Sequence, residues 1–326
     1  MLLRDLTDGT DLDHVLLVRE VDRRQRRDGD EFLRLTLGDR SGQVIAMVWD
    51  DVRAASALLQ PGKPVRVVGR YVMHPRYGPQ INLRSLGEAE PGSYALEDLV
   101  AGPPRAVGQM EGDLRELIAT IQQPHLRTLL DQLIGPGAEL WPAYRDAPAA
   151  KFYHQAYCHG LLEHCLTVGQ AVGAISATFA GIDRDVAVAG ALLHDIGKLD
   201  AYTRDASAID LTDDGRLQGE IALGYFRVRC EIETIDGFPP ALGKALLHII
   251  LSHHGTLEHG SPVLPATREA TLVHMVDNLG GRLGSFDRLE KELRSGERWS
   301  SFDRAIGGGA FFGEPQVVSE PQRVAA

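Results

Sequence analysis

The stretch Ala187-Val-Ala-Gly-Ala-Leu-Leu-His-Asp-Ile-Gly-Lys198 decides how this chain is read. Its apolar and small residues describe a buried helix, and His194 and Asp195 then follow side by side. Neighbours inside an α-helix point about 100° apart, so two adjacent ligands can serve one centre only where a helix ends. Gly197 is expected to supply that break. Three further stretches repeat the pattern of a ligand among core residues: His164 in Gly160-Leu-Leu-Glu-His-Cys-Leu166, the pair His253-His254, and Asp277 in Leu272-Val-His-Met-Val-Asp-Asn-Leu279. A buried carboxylate is costly unless it is paired or bound to a metal, and no lysine or arginine lies in the eight residues before Asp277. Imidazole nitrogen with carboxylate oxygen suits Mn, Fe or Zn better than Ca or Mg. Together the four stretches predict a metal centre on helices.

The first ninety residues have a different period. Val15–Val21 is apolar and β-branched, and Phe32–Leu37 alternates. Gly38-Asp-Arg-Ser-Gly42 then turns the chain into Val44–Trp49. A short helix over Asp51–Gln60 ends at Pro61-Gly62, and two more strands, Val65–Tyr71 and Gln80–Arg84, flank a loop at His74–Pro79. Five short strands with one helix after the third is the order of an OB-fold barrel. The expected organisation is an OB domain over 1–90, a Pro/Gly-rich linker over 91–105 and a helical connector over 106–150. An all-α metal-binding domain over 151–300 and a tail over 301–326, anchored by Phe311-Phe312, complete it. In the connector, Leu114, Leu117, Ile118 and Ile121 mark one helix, and Leu126, Leu129, Leu130 and Leu133 another.

With 326 residues, 44% hydrophobic and 24% charged, the chain has material for two cores. No run of 18 apolar residues and no basic, then apolar, leader is present, so a cytoplasmic protein without a membrane span is expected. Cys158, Cys165 and Cys230 form no CxxC pair and are read as buried free thiols. The net charge of −11 is unevenly spread. Residues 1–90 hold 14 Arg/Lys against 14 Asp/Glu, and the remainder, 20 against 31, carries all of it. Global charge is therefore weak evidence against a polyanionic substrate.

The order His … His-Asp … Asp resembles the HD phosphohydrolases. Residues 150–285 are more specifically similar to the HD domain of the YhaM-type 3′–5′ exoribonucleases. The similarity lies in Phe152–His164, Ala189–Lys198, His248-Ile-Ile-Leu-Ser-His-His-Gly255, Gly260-Ser-Pro262 and Glu269–Asn278. That family also carries an N-terminal OB domain. The resemblance implies hydrolysis of single-stranded RNA, with single-stranded DNA as a second substrate, from the 3′ end to 5′-mononucleotides. It also implies two Mn²⁺ ions, with Fe, Co or Mg as other choices. The assignment it suggests is His164, His194, Asp195 and Asp277 on the first ion, with Asp195 bridging to Glu220, His253 and His254 on the second. One departure is evident: where two-metal relatives carry His after Gly, this chain reads Gln218-Gly-Glu220.

Among the remaining groups, Lys198 is read as the phosphate partner and His154 as a substrate-side or proton-transfer residue. His274 would orient Asp277 and His248 would lie behind the ligands. His159 has no assigned role. OB barrels bind single strands by stacking bases on aromatic rings beside basic groups. Arg34, Tyr71, His74, Arg76 and Tyr77 are the leading candidates; Trp49 and the cluster Arg23, Arg24, Arg26 and Arg27 are also candidates, with a core position for Trp49 favoured and a solvated hairpin offset by neighbouring acids as the alternative for the cluster. Self-association stays open. A cyclic-dinucleotide phosphodiesterase is disfavoured because His253–Pro262 lacks the Gly-Tyr-Pro segment of those enzymes. A nucleotide phosphohydrolase with a regulatory OB domain and a non-catalytic single-strand-binding protein are the other rivals.

Overall fold

The computed structural model describes residues 2–26, 29–74, 77–100, 102–150, 155–203, 209–293 and 296–313. Strands β1 (Asp11–Gln25), β2 (Glu31–Asp39) and β3 (Gly42–Val48) are followed by helix α1 (Val52–Leu58), then β4 (Pro64–His74) and β5 (Gly78–Glu88). They close a barrel in the order β1-β2-β3-β5-β4, antiparallel throughout except for the β3–β5 pair. This is the OB-fold connectivity. Alternation on β4 sends Val65, Val67 and Tyr71 into the interior with Leu16, Leu35 and Val44. A register shift between Val18 and Glu20 bends β1, which spans two walls of the barrel by pairing with both β2 and β4.

Helix α2 (Leu96–Leu99) lies in the expected linker and is tied to the barrel. Arg40 N donates to the Asp98 carbonyl and Arg19 Nη2 to that of Leu99. Beyond it come α3 (Val107–Ala119), α4 (Pro124–Ile134), α5 (Trp141–Asp146), α6 (Gly160–Ser176), α7 (Arg184–Leu193), α8 (Lys198–Ala201) and α9 (Asp213–Leu217). The series ends with α10 (Glu220–Thr234), α11 (Pro240–Ser252) and α12 (Arg268–Glu292). Residues 106–150, expected as a connector, share one apolar core with these later helices through Met110, Leu114, Leu130 and Tyr144. The barrel has its own separate cluster.

Helix α7 is the centre of the helical half, packed against α6, α11 and α12. Asp183 caps its start by accepting from Asp185 N and Val186 N, and Thr267 caps α12 by accepting from Ala270 N. Tyr144 Oη donates to the Leu192 carbonyl at 2.8 Å and so holds the last turn of α7. Phe312 rests edge-on against Phe286 of α12, while Phe311 pairs with Trp299 at the surface. Among the described residues no helix is long and apolar enough to cross a membrane. All three cysteines are free. Cys165 is buried and Cys158 half-buried, whereas Cys230, on the outer side of α10, is exposed rather than buried as expected.

Candidate metal centre and nucleic-acid surface

Helix α7 ends at Leu193, and His194 to Gly197 form a turn that leads into α8. The turn, not Gly197 itself, makes the break: Gly197 has ordinary right-handed dihedrals (φ −67, ψ −14). Its glycine has another cause. A Cβ there would fall 1.9 Å from the Glu220 carbonyl and 2.5 Å from Gly224 N. The missing side chain lets the first turn of α10 press against the turn after α7, and this carries Glu220 to the site.

Among the described residues two groups of ligand atoms converge: His164, His194 and Asp277 in one, Asp195, Glu220, His253 and His254 in the other. Asp195 joins them. Its Oδ2 lies 3.3 Å from His164 Nε2 and 3.4 Å from His194 Nε2, and its Oδ1 lies 3.5 Å from His253 Nε2. Asp277 Oδ1 is 3.1 Å from His164 Nε2, and Glu220 Oε1 is 3.3 Å from His254 Nε2. Helices α6, α7, α10, α11 and α12 thus each bring a ligand to one place. His164, His194, Asp195 and His253 lie at the bottom, while Asp277, Glu220 and His254 are partly open to solvent and mark the mouth.

All four imidazoles are held in one tautomer. His194 Nδ1 faces the Ala191 carbonyl at 2.7 Å, His253 Nδ1 that of Ile250 at 2.8 Å, and His254 Nδ1 that of His259 at 2.8 Å. His164 Nδ1 faces Gln155 Oε1 at 3.1 Å. Each oxygen can only accept, so each Nδ1 carries a proton and each Nε2 is the atom turned toward the cluster, free to present a lone pair to a metal. Metal-ligating histidines are oriented in this way. Asp195 Oδ1 and His253 Nε2 are buried without a hydrogen bond; they lie 3.5 Å apart, and Oδ1 has the Lys198 ammonium 3.3 Å away. A buried polar atom without a hydrogen bond is costly, and an imidazole nitrogen directed at a cluster of carboxylates fits a bound cation. The donor set and the unbonded His253 Nε2 suit a divalent metal.

The electrostatics point the same way. Burial alone would raise the Asp195 carboxyl, but Lys198 and His194 hold it well below the usual range. Burial likewise opposes ionisation of Glu220 and Asp277. Lys198 brings Glu220 down to about 2, and His164 and His194 hold Asp277 low. Burial would depress His194, yet the Asp195 and Asp277 carboxylates push it up to about 9. Burial keeps His253 below its ordinary value. The metal-free site is therefore a set of ionised carboxylates around a protonated His194.

Several expectations need correction. Lys198, read as the phosphate partner, is buried and already paired: its Nζ sits 3.3 Å from Asp195 Oδ1 and 3.0 Å from Glu220 Oε2. His274 does not orient Asp277. Its Nδ1 donates to the His253 carbonyl at 2.8 Å, and its ring fills the space where Gly255 (φ +80) lacks a Cβ. His248 accepts from Ala266 N, and His159, in a left-handed conformation before α6, reaches the Arg145 carbonyl. His154 lies outside the described residues. Gln155 is the residue that sequence reasoning missed. It stands nine positions before its partner, in a loop without periodicity and at φ 56, so no spacing rule points to it.

On the barrel, Tyr71 is only 7% exposed and belongs to the interior, because odd positions of β4 point inward. It is no stacking platform. Trp49, read as core, is 48% exposed because it lies just beyond the last residue of β3. Its ring lies 4.9 Å from that of Phe32, and the Arg26 guanidinium sits 4.6 Å over it. Tyr77 is 60% exposed with its ring 4.7 Å from that of His74. Arg34 pairs with Asp22 at 3.8 Å, Arg24 with Asp22 and Arg23 with Glu31. Arg76 and Arg27 lie outside the described residues. On the β1–β4–β5 wall, Arg66 is paired with Asp13, and Arg70 and Arg84 with Asp11. Exposed Trp49 therefore meets the half-buried Phe32 and Arg26 on the β1–β2–β3 side, while Tyr77 and His74 stand at the β4–β5 turn.

Two family models match the chain: an HD domain over residues 161–281 and an OB-fold nucleic acid binding domain over 15–87. Relatives match along most of its length. The 3′-5′ exoribonuclease YhaM of Bacillus subtilis is 29% identical over 290 residues, covering 89% of this chain and 90% of its own. The proteins of the same name from Geobacillus sp. and Listeria innocua are 28% and 26% identical, covering 89% and 90% of this chain.

Proposed function

As a homologue of the YhaM proteins that joins an OB-fold domain to an HD domain, the chain is, we propose, a metal-dependent 3′–5′ exoribonuclease. It hydrolyses single-stranded RNA, and single-stranded DNA as a second substrate, to 5′-mononucleotides. The observation that carries the reading is the convergence of four Nε2 lone pairs on the shared carboxylate of Asp195, inside the helices that the HD model matches. His164, His194, Asp277 and Asp195 would hold one divalent ion, and Asp195, Glu220, His253 and His254 a second. Mn²⁺ agrees with the mixture of imidazole and carboxylate.

Divalent ions in such a site lower the pKa of water toward neutrality and offset the charge that builds on a phosphoryl group. The chain's own residues supply the rest. Carbonyls of Ala191, Ile250 and His259 keep the Nε2 atoms directed inward. The buried floor excludes bulk water, and the mouth at Glu220, His254 and Asp277 admits a chain end. Trp49, Phe32, Tyr77 and the arginines of the barrel hold the upstream strand by stacking and phosphate contacts.

Single-stranded RNA labelled at either end tests this in Mn²⁺. A 3′ label should appear at once as a mononucleotide, while a 5′-labelled strand shortens stepwise. Internal fragments from the first time point onward would overturn the exonuclease reading, and a lack of metal dependence would overturn the site.

A further inference from the structure

The ammonium of Lys198 occupies a place that matters for the second ligand group. Its Nζ bridges Asp195 Oδ1 and Glu220 Oε2, the two carboxylates of that group, and the side chain is almost fully buried. A buried charge needs a partner, and here the lysine and the would-be metal ligands satisfy each other. The charges can be counted. Asp195, Glu220 and Asp277 are three negative groups, Lys198 is one positive group, and the imidazoles are ligands in their neutral form. The cluster balances one divalent ion. A second ion makes it cationic unless an anion joins. The second anion of the pairing is supplied by Glu220, at the first turn of α10.

Resting on the metal reading above, we propose that Lys198 is a built-in cation of the second ligand group. The chain holds one divalent ion tightly and takes the second only together with a phosphate group, which receives the ammonium as it leaves Glu220. The partner is a terminal or bridging phosphate of the substrate or product, whose oxygens can accept from an ammonium. The ion and the phosphate then favour each other, and by linkage the coupling is the same in both directions. Lys198 is read as a phosphate partner only in that state, which reconciles its sequence context with its burial here.

The test is Mn²⁺ binding to the metal-depleted full chain, by titration calorimetry and by metal analysis after equilibrium dialysis, with and without 5′-AMP. One tight ion is expected, with a second at least about a hundredfold weaker that 5′-AMP strengthens by about tenfold or more. Lys198→Met should tighten the second ion and abolish the effect of 5′-AMP. Glu220→Gln should lose the second ion and keep the first. Two ions of equal affinity that ignore 5′-AMP would overturn the proposal and leave the metal site intact. An absence of tight binding by the wild-type chain would overturn the metal reading itself. If Lys198→Met does not fold, the response of the wild-type chain to 5′-AMP decides alone.

Discussion

The Nε2 atoms of His164 and His194 stand 3.2 Å apart while both Nδ1 atoms are committed to oxygen acceptors. Two lone pairs at that separation repel unless something positive lies between them. In the metal-free protein it is a proton, drawn by the Asp195 and Asp277 carboxylates; in the loaded protein a metal ion can take its place.

This relationship sets a pH dependence. The folded value of His194, about 9, stands above its ordinary 6.5. A raised value in the folded state contributes stability that is full below 6.5 and is lost as pH climbs through 9. Metal-depleted protein should therefore melt progressively lower between those limits, and His194→Gln should flatten that slope. The metal works in the opposite sense, since it must displace the proton. The rise in melting temperature given by saturating Mn²⁺ should grow over the same interval. Melting curves at several pH values, with and without Mn²⁺, check both signs.

Asp195→Ala removes the one carboxylate that faces both ligand groups. Hydrolysis should fall by at least about 10³-fold, as the charge stabilisation that ions provide is worth several kcal/mol. The helical circular dichroism should survive, because the residue packs at the end of α7 and not within its core. Activity within tenfold of wild type, after metal depletion and reconstitution, sinks the site assignment.

Gln155 acts through His164. Gln155→Leu takes away the acceptor that fixes the Nδ1 proton, and loss of such a partner typically weakens metal affinity by about 10–100-fold. Gln155→Glu keeps an acceptor and should retain most of the affinity. Equal Mn²⁺ binding by wild type and Gln155→Leu would show that the contact orients nothing.

Much of this was legible in the sequence, for physical reasons that also explain the failures. Strand alternation and the His-Asp, His-His and Asp positions are local in the chain, so the sequence reveals the barrel and the side chains that converge at the candidate site. Sequence shows a glycine at 197 but not the α10 backbone that presses on it, so it suggests a helix breaker where the structure has a close approach. Lys198 follows Asp195 by one turn, and nothing local announces that Glu220, 22 positions later, closes over it. Tyr71 and Trp49 exchanged roles for a similar reason. Which face of a strand is inside depends on barrel closure, and a ring at a strand end can escape the alternation.

That exchange yields the last prediction. If Trp49 at the end of β3 and Tyr77 at the β4–β5 turn both carry the strand, Trp49→Ala and Tyr77→Ala should each weaken binding of single-stranded RNA by about 1–3 kcal/mol, the worth of one stacked base. Arg26→Ala, which removes the guanidinium over Trp49, should add a salt-dependent loss that shrinks as ionic strength rises, since counterion release supplies that part of the affinity. Arg66→Ala, on the wall where each arginine is paired with an aspartate, should change little. Tyr71→Ala should lower the melting temperature of the barrel through lost core packing, and binding only in proportion to the unfolded fraction. Fluorescence anisotropy with a labelled oligonucleotide in Ca²⁺, at two salt concentrations, reads the binding of all five, and a melting curve reads Tyr71→Ala. Equal losses from Arg66→Ala and Trp49→Ala would place the strand elsewhere on the barrel, and a barrel whose removal left binding of long RNA unchanged would need another role, such as assembly.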